Sequence, residues 1–269
     1  MNNIHPTAAI DETAKLGDNI TIGPHCYIGP CVELGDECIL NASVTIVGDT
    51  TIGKKNVFYP GCVIGQNPQM LGAGQGIKFG TTEIGNGNTI REHVTIHPSI
   101  YPDAVTKIGD NNLIMIGVHI GHDCVIENYT VLSNNSQISG HCKIETGVWL
   151  SGSVMVHQFV TIGKWSYAAG LSGLNHDVPP FVIVSGHYPP EVRSINKRGI
   201  ARCGLDEQQG KIIFRTFKKL FRNDKPILEN AQAIAAESDV NENALLMAQA
   251  IIDSSKHRYG RYLESLRRH

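Results

Sequence analysis

The sequence predicts an all-β fold, a parallel β-helix of six-residue repeats, followed by an α-helical region. Three observations predict it. An aliphatic residue recurs at every sixth position over most of residues 4–162, a small or β-branched residue follows four positions later, and beyond residue 190 the apolar spacing becomes helical. Six-residue units with one large and one small inward residue suit a short strand and a turn, and three units close one triangular coil. We therefore predict a β-helix domain at 1–190 and an α-helical domain at 191–269.

The repeat covers residues 4–64, 84–96 and 108–162 and has two interruptions. Residues 70–83 break its phase, whereas residues 102–107 lack the pattern but preserve the phase. A regular solenoid extrudes loops mainly where they take part in function. Both segments are therefore predicted to be projecting loops.

Most cysteines fall at the small inward position of the repeat, namely Cys26, Cys38, Cys62, Cys124 and Cys142. A buried thiol behaves as a small hydrophobe, so these residues are predicted to pack in the core and not to bind metal or form disulfides. The chain has 7 cysteines and no Cys-x-x-Cys pair, which favours free thiols in a reducing cytoplasm.

Prolines at 179, 180, 189 and 190 are predicted to end the coils. From Leu205 to Phe221 the apolar residues recur at helical spacing, and Asp206 is a candidate N-cap. Residues 227–237 and 243–266 are predicted to form further helices.

The net charge of −2 does not indicate nucleic-acid binding, but charge is unevenly distributed along the chain. Residues 1–190 hold 8 Lys/Arg against 15 Asp/Glu, and residues 191–269 hold 15 against 10. The basic C-terminal region suits an acidic partner, or it is simply a solvated helical face. No 18-residue apolar run and no N-terminal signal pattern is present, so we expect no membrane span.

Four of the 12 histidines, His119, His122, His141 and His157, are spaced so that they stack on adjoining coils of about 18 residues. An imidazole near its ordinary pKa of about 6.5 can act as a general base. Asp123, adjacent to His122, is able to fix the imidazole tautomer. The N–H of Gly140 is a candidate oxyanion donor because no side chain obstructs it.

The same histidines also suggest a metal site. Zinc needs three imidazoles converging at about 2.1 Å from one point, as in carbonic anhydrases with this type of helix. His119 and His122 are three residues apart, and His93 and His97 are four apart, which differs from the five-residue spacing expected for that family. Metal binding is thus the weaker of the two hypotheses.

With these residues in place, the chain resembles the acyl-ACP–UDP-N-acetylglucosamine O-acyltransferases, which begin lipid A synthesis. The resemblance spans nearly the whole chain and is carried by "IHPTA" (4–8), "IGPHCYIGP" (22–30), "REHVTIH" (91–97), "HIGHDC" (119–124), "SGH" (139–141), "VHQF" (156–159) and "DVPPFVI" (177–183). It implies a left-handed parallel β-helix of hexapeptide repeats. It also implies a cytoplasmic homotrimer that uses no metal or cofactor, with active sites in clefts between subunits.

The resemblance implies a role for each candidate site residue. His122 would be the general base, Asp123 its support and Gly140 the oxyanion donor. His119, His141, His157 and Gln158 would contact the sugar nucleotide or orient the acyl group. Gly170 would leave the acyl groove open for a long 3-hydroxyacyl chain, because a missing Cβ leaves space.

The C-terminal region would bind anionic groups. Lys197 and Arg198 match a basic pair that reaches the nucleotide phosphates of a neighbouring subunit. The remaining cations of this region would suit the acidic surface of acyl carrier protein, the acyl donor. They are Arg202, Arg215, Lys218, Lys219 and Arg222.

The sequence departs from the family in the loop after "PQ" and nearby. Met70 and Gly72 stand where an Asp and a Lys are usual, Pro98 replaces an arginine, and the segment after Gly186 is about four residues shorter. These changes do not touch His122, but they affect which sugar the protein would bind. The main hypothesis is 3-O-acylation of UDP-N-acetylglucosamine. The alternatives are a paralogue that acylates another nucleotide sugar, such as a 3-amino sugar, a zinc lyase, or a non-enzymatic scaffold.

Overall fold

A computed structural model describes residues 1–72 and 76–267. Its first part is a solenoid whose short strands form three sheets, parallel throughout except for the last pair of sheet I. Sheet I contains β1 (Asn3–Ile4), β4 (Thr21–Ile22), β7 (Ile39–Leu40), β10 (Val57–Phe58), β13 (Thr89–Ile90), β16 (Leu113–Ile114), β19 (Val131–Leu132), β22 (Trp149–Leu150), β25 (Tyr167–Ala168), β27 (Val182–Ser185) and β28 (Glu191–Ile195).

Sheet II contains β2 (Ala9–Ile10), β5 (Tyr27–Ile28), β8 (Thr45–Ile46), β11 (Val63–Ile64), β14 (Thr95–Ile96), β17 (His119–Ile120), β20 (Gln137–Ile138), β23 (Met155–Val156) and β26 (Gly173–Leu174). Sheet III contains β3 (Lys15–Leu16), β6 (Val32–Leu34), β9 (Thr50–Ile52), β12 (Thr81–Ile84), β15 (Val105–Ile108), β18 (Val125–Ile126), β21 (Lys143–Ile144) and β24 (Thr161–Ile162). The chain visits the sheets in the order I, II, III, so each coil crosses all three.

The hexapeptide pattern accounts for the core. In regular coils a residue pairs with the one 18 positions later, as Ile28 does with Ile46, so aliphatic residues stack on aliphatic residues inside the solenoid. From Ile22 onward the large inward residues are almost fully buried, whereas Ile4 in the first coil is exposed. The predicted β-helix with a C-terminal helical region is confirmed.

The five core cysteines predicted from the repeat are buried, and all seven thiols are free. Burial raises the pKa of Cys62 to about 12 and also raises the pKa of Cys142 well above its usual value. A thiol held protonated is a poor ligand and nucleophile. These cysteines therefore serve as packing residues.

Both predicted loops are present, but each ends a few residues earlier than predicted, because strands β12 and β15 begin inside the predicted ranges. Ile84 pairs with Ile52, so that coil is 32 residues long, and Ile108 pairs with Ile84, so the next is 24. Strands β12 and β15 already begin at Thr81 and Val105, because the two segments pair with each other through their β-branched residues. The insertions lie before these strands, and residues 73–75 of the first predicted loop lie outside the described residues.

The solenoid ends in an antiparallel pair, β27 with β28, so sheet I extends five residues past the predicted division at 190. The helices are α1 (Lys197–Arg202), α2 (Glu207–Phe221), α3 (Ile227–Ala235) and α4 (Glu242–Ser254), and a 3₁₀ helix follows at Tyr262–Leu266. Asp206 caps α2 as predicted, accepting a 2.7 Å hydrogen bond from the N–H of Gln209. Among the described residues, no helix combines the length and apolar character needed to cross a bilayer.

Candidate active site

His122 and Asp123 lie at the corner where the chain passes from β17 in sheet II to β18 in sheet III. His122 Nδ1 is 2.7 Å from Asp123 Oδ2. A carboxylate accepts, so Nδ1 carries the proton and Nε2 presents a lone pair. The His122 side chain is 22% exposed, so a substrate can reach its ring.

Asp123 is itself fixed by β15 and by the inserted segment before it. The Ser99 hydroxyl donates to Asp123 Oδ1, the N–H of Ile100 donates to Oδ2 at 3.2 Å, and Asp123 N–H donates to Thr106 Oγ1 at 2.7 Å. Burial tends to raise the pKa of Asp123, but hydrogen bonds from His122, Ser99 and Ile100 outweigh it and hold the pKa below its usual value. The carboxylate therefore stays ionised beside the imidazole.

Gly140 lies one coil further along the same corner, directly against the His122 ring. A Cβ added at Gly140 would be 2.5 Å from His122 Cε1, closer than any real Cβ contact, so only glycine admits this ring position. Within residues 1–72 and 76–267 no acceptor is hydrogen-bonded to the Gly140 N–H. Gly140 itself is buried against the His122 ring, so its N–H lies close to the imidazole and has no acceptor in this part of the chain.

His141 completes the cluster from the same coil as Gly140. Its ring meets the His122 ring edge-on at 4.9 Å and stacks on Phe159 at 4.5 Å, and its Nδ1 is 3.9 Å from Asp123 Oδ2. Burial lowers the pKa of His141; Asp123 opposes this, and the His122 and Arg267 charges add to it. The predicted neighbourhood of His141 and His122 is therefore present.

His119 lies on β17, three residues before His122 in the same coil. A 2.9 Å hydrogen bond joins its Nδ1 to Thr95 Oγ1, and its ring centroid is 5.2 Å from that of His97. Burial, and then the His97 and His122 charges, lower the pKa of His119 to about 4. His119 is therefore a neutral hydrogen-bonding group near neutral pH.

His157 and Gln158 are exposed on the coil after Gly140, so Gln158 continues the column of His122 and Gly140. Within the described part of the chain, the His157 ring has one hydrogen-bond partner, the Gln158 carbonyl, 3.2 Å from Nδ1. Neither side chain is buried in the core of the solenoid. Both are placed where a bound ligand at this corner would meet them.

The remaining predicted residues lie elsewhere on the prism. Gly170 follows β25 at the corner between sheets I and II, and a Cβ there would have only ordinary contacts, the nearest at 3.4 Å. Lys197 and Arg198 line a cavity of about 870 Å³ between the outer face of sheet I and the helices. One chain therefore does not bring the basic pair to the His122 corner.

Within the described part of the chain, one group could hold a metal ion: His122, Asp123 and His141 offer ligand atoms within 4.8 Å of one another. This group has two imidazoles, whereas the zinc-lyase hypothesis requires three. Asp123 Oδ2 is also already engaged by His122 Nδ1. The geometry suits proton transfer without further rearrangement.

Sequence reasoning missed Ser99 and Phe159 as parts of the site. The register would have found Ser99, because the coil with the second insertion is 24 residues long and places residue 99 beside residue 123. Phe159 follows the "HQ" pair 18 residues after His141. Corner positions 123, 141 and 159 all adopt positive φ, at 61°, 63° and 65°, and so project side chains in one column.

The fold and corner site define a hexapeptide-repeat transferase. A "bacterial transferase hexapeptide (six repeats)" family model matches residues 13–48 and 106–140, and a "UDP N-acetylglucosamine O-acyltransferase; domain 2" model matches residues 177–259. The chain belongs to the acyl-ACP–UDP-N-acetylglucosamine O-acyltransferase family, which confirms the resemblance predicted from its motifs.

Individual relatives agree with this membership. The enzyme of that name from Synechocystis sp. is 40% identical over 83% of this chain and 80% of its own length. The one from Campylobacter concisus is 32% identical over 95% of this chain and 97% of its own. The crystal structure of the Francisella novicida UDP-N-acetylglucosamine acyltransferase matches with a TM-score of 0.89 at 34% identity, covering 96% of this chain and 92% of that one.

Proposed function

We propose that this protein transfers an acyl group from acyl carrier protein to the glucosamine 3-hydroxyl of UDP-N-acetylglucosamine. The reaction is the first step of lipid A synthesis and takes place in the cytoplasm. The single observation that carries the mechanism is the 2.7 Å pair of His122 and Asp123 beside the Gly140 N–H, for which the described residues supply no acceptor. Family membership supports the substrates, because the relatives carry them in their names.

In the proposed reaction, His122 Nε2 takes the proton from the 3-hydroxyl as its oxygen attacks the thioester carbonyl. Asp123 holds the resulting imidazolium, and the Gly140 N–H donates to the developing oxyanion. When the carbon–sulfur bond breaks, the imidazolium returns its proton to the departing thiolate of acyl carrier protein. The products are the 3-O-acyl sugar nucleotide and the free thiol, and His122 is again neutral.

The surrounding residues bind the substrates. Neutral His119 and the pair His157 and Gln158 offer hydrogen bonds to the sugar nucleotide, and His141 orients the reacting groups. Gly170 leaves the groove open for a long 3-hydroxyacyl chain. Acyl carrier protein docks on the basic surface of the C-terminal region, formed by Arg202, Arg215, Lys218, Lys219 and Arg222.

The proposed active unit is a homotrimer. His122 and the pair Lys197 and Arg198 lie on different faces of one chain, so the pair reaches nucleotide phosphates only when it comes from a neighbouring copy. Large apolar side chains are exposed on the solenoid, including Ile116, Met155 and Leu171, the last at 78%. A closed three-fold ring would bury such residues.

The test is turnover by the wild-type protein and by His122→Ala, with a panel of nucleotide sugars and acyl-ACPs and product identification by mass spectrometry. We expect 3-O-acylation of UDP-N-acetylglucosamine, reduced about 10²- to 10⁴-fold in the variant, since this is the range for loss of a general base. His5→Ala removes an exposed imidazole far from the site and is the control. Turnover only of a 3-amino sugar would establish the alternative acceptor, and zinc retained in stoichiometric amount would favour a lyase.

A further inference from the structure

The segment Arg261–Arg267, here named the strap, is tied firmly to the last coils of the solenoid. Asp177 Oδ2 accepts a 2.8 Å hydrogen bond from Tyr262 N–H, and Asp177 N–H donates to the Gly260 carbonyl at 2.7 Å. The guanidinium of Arg261, a residue only 7% exposed, donates to the Asn175 carbonyl at 3.1 Å. These contacts fix where the strap begins.

From this anchor the strap runs along the outer face of sheet III to the catalytic corner. Leu263, Leu266 and Arg267 form one wall of a cavity of about 330 Å³, and Asp123, His141 and Phe159 are among the residues of the opposite wall. The C-terminal segment is thus part of the surroundings of the candidate active site. None of the strap residues has a role in the proposed transfer reaction.

A line of ring contacts connects Arg267 to the catalytic base. The Arg267 guanidinium carbon is 5.6 Å from the centroid of Phe159. Phe159 is 5% exposed and lies parallel to His141, with an interplanar angle of 1°. His141 in turn meets His122 edge-on, so the His141 ring lies between Phe159 on one side and His122 on the other.

We propose that Arg267 is a positioning residue that, through Phe159, holds His141 against the His122–Asp123 pair. The proposal rests on the proposed function, because its effect is measured on that reaction. His141 is faced by Asp123 and His122 at the corner, by Tyr101 from the inserted segment and by Arg267 from the strap. Arg267 thus contributes a cation that favours neutral His141, in addition to the contact with Phe159.

The experiment compares Arg267→Met with Arg267→Lys in the full chain, together with Arg258→Met. Arg258 is a matched control because its guanidinium also lies over an aromatic ring, that of Tyr259 at 4.4 Å, but it lines no part of the cavity described above. We expect Arg267→Met to lower kcat about two- to fivefold, the factor that corresponds to an exposed cation–π contact. KM for both substrates should stay unchanged, Arg267→Lys should recover part of the loss, and Arg258→Met should match wild type.

A double-mutant cycle with Phe159→Leu tests the route of the effect. If Arg267 acts through Phe159, Arg267→Met has no further effect in the Phe159→Leu protein. The same loss of kcat in both backgrounds would overturn the proposal, as would a rise in KM for the sugar nucleotide with kcat unchanged, which would make Arg267 a direct phosphate contact. An unchanged kcat in Arg267→Met would also overturn it.

A readout without turnover separates this proposal from the proposed function. The imidazole NMR signals of His141 should move in Arg267→Met, because Phe159, which stacks on the His141 ring, loses its contact with the guanidinium. They should not move in Arg258→Met. Moved His141 signals in a protein that does not acylate UDP-N-acetylglucosamine would reject the proposed function alone, whereas unmoved signals would reject the positioning role.

Discussion

At the scale of single residues, the corner site depends on the absence of side chains as much as on their presence. The His122 ring occupies the space that a Cβ of Gly140 would fill. Gly140 does not adopt a positive φ, so an alanine is conformationally allowed there and would act only through this contact. The motif "SGH" therefore has a physical reason beyond the proposed oxyanion donor.

Gly140→Ala should displace the His122 ring and lower kcat about a hundredfold, the order of loss that a misplacement near 1 Å produces. The thermal midpoint should change little, since the ring can turn toward solvent. Gly210→Ala in α2 is the control, because its new Cβ would meet only Ile200 Cγ2, at 3.8 Å. Wild-type turnover in Gly140→Ala would mean that His122 does not act from the position in this structure.

His119 gives the fold a pH dependence whose sign follows from its environment. Its pKa is about 4 in the folded chain against 6.5 ordinarily, so between those values the unfolded chain binds a proton that the folded chain does not. Stability is therefore unaffected by His119 above about pH 6.5 and falls as the pH drops toward 4. Between pH 7.5 and 5, the thermal midpoint should fall by a few degrees more in wild type than in His119→Gln.

The matched control is His5→Gln, which removes an exposed imidazole. Its thermal midpoint should follow the wild-type curve over the same pH range. An identical pH dependence for wild type and His119→Gln would show that His119 is not kept neutral by burial.

At the scale of elements, the six-residue period predicted the coils because each inward residue must be apolar wherever it stacks on the coil below. It could not set the loop limits, since Thr81 and Val105 gain partners only from each other, 24 residues apart. The strap was predicted as part of a helical segment, residues 243–266. Helix α4 instead ends at Ser254, and the strap begins only where Tyr262 N–H meets Asp177, a tertiary contact with no local sequence signal.

Asp177→Asn should loosen the strap. Both carboxylate oxygens accept backbone N–H bonds, from Thr161 at 2.7 Å and Tyr262 at 2.8 Å, although burial raises the pKa of Asp177 to about 6. An amide cannot accept at both positions, so we expect a loss of roughly 1–3 kcal/mol in the local stability of the strap. Hydrogen exchange should accelerate at residues 260–262. Asp11→Asn, which alters a turn at the opposite end of the solenoid, should leave that exchange unchanged.

At the scale of the whole molecule, one chain holds all the parts of the proposed site but does not assemble them. The proposed general base, His122, lies between sheets II and III, and the basic pair Lys197 and Arg198 lies over sheet I. The sequence predicted both parts from motifs. The resemblance implied that the basic pair serves a neighbouring subunit. The repeat alone could not place the pair over sheet I, because Lys197 and Arg198 lie in α1, beyond the last strand of the solenoid.

Mixing two inactive variants tests whether subunits share the site. His122→Ala lacks the proposed base, and the double variant Lys197→Gln, Arg198→Gln lacks the proposed phosphate contacts. Neither variant alone should therefore turn over at the wild-type rate. In randomly mixed trimers, about one quarter of the interfaces pair an intact His122 with an intact basic pair from the neighbour. Co-expression should therefore restore roughly that fraction of wild-type activity, whereas purified variants combined without subunit exchange should restore none. If light scattering finds only monomers, or if co-expression restores no activity, the basic pair does not act across a subunit boundary.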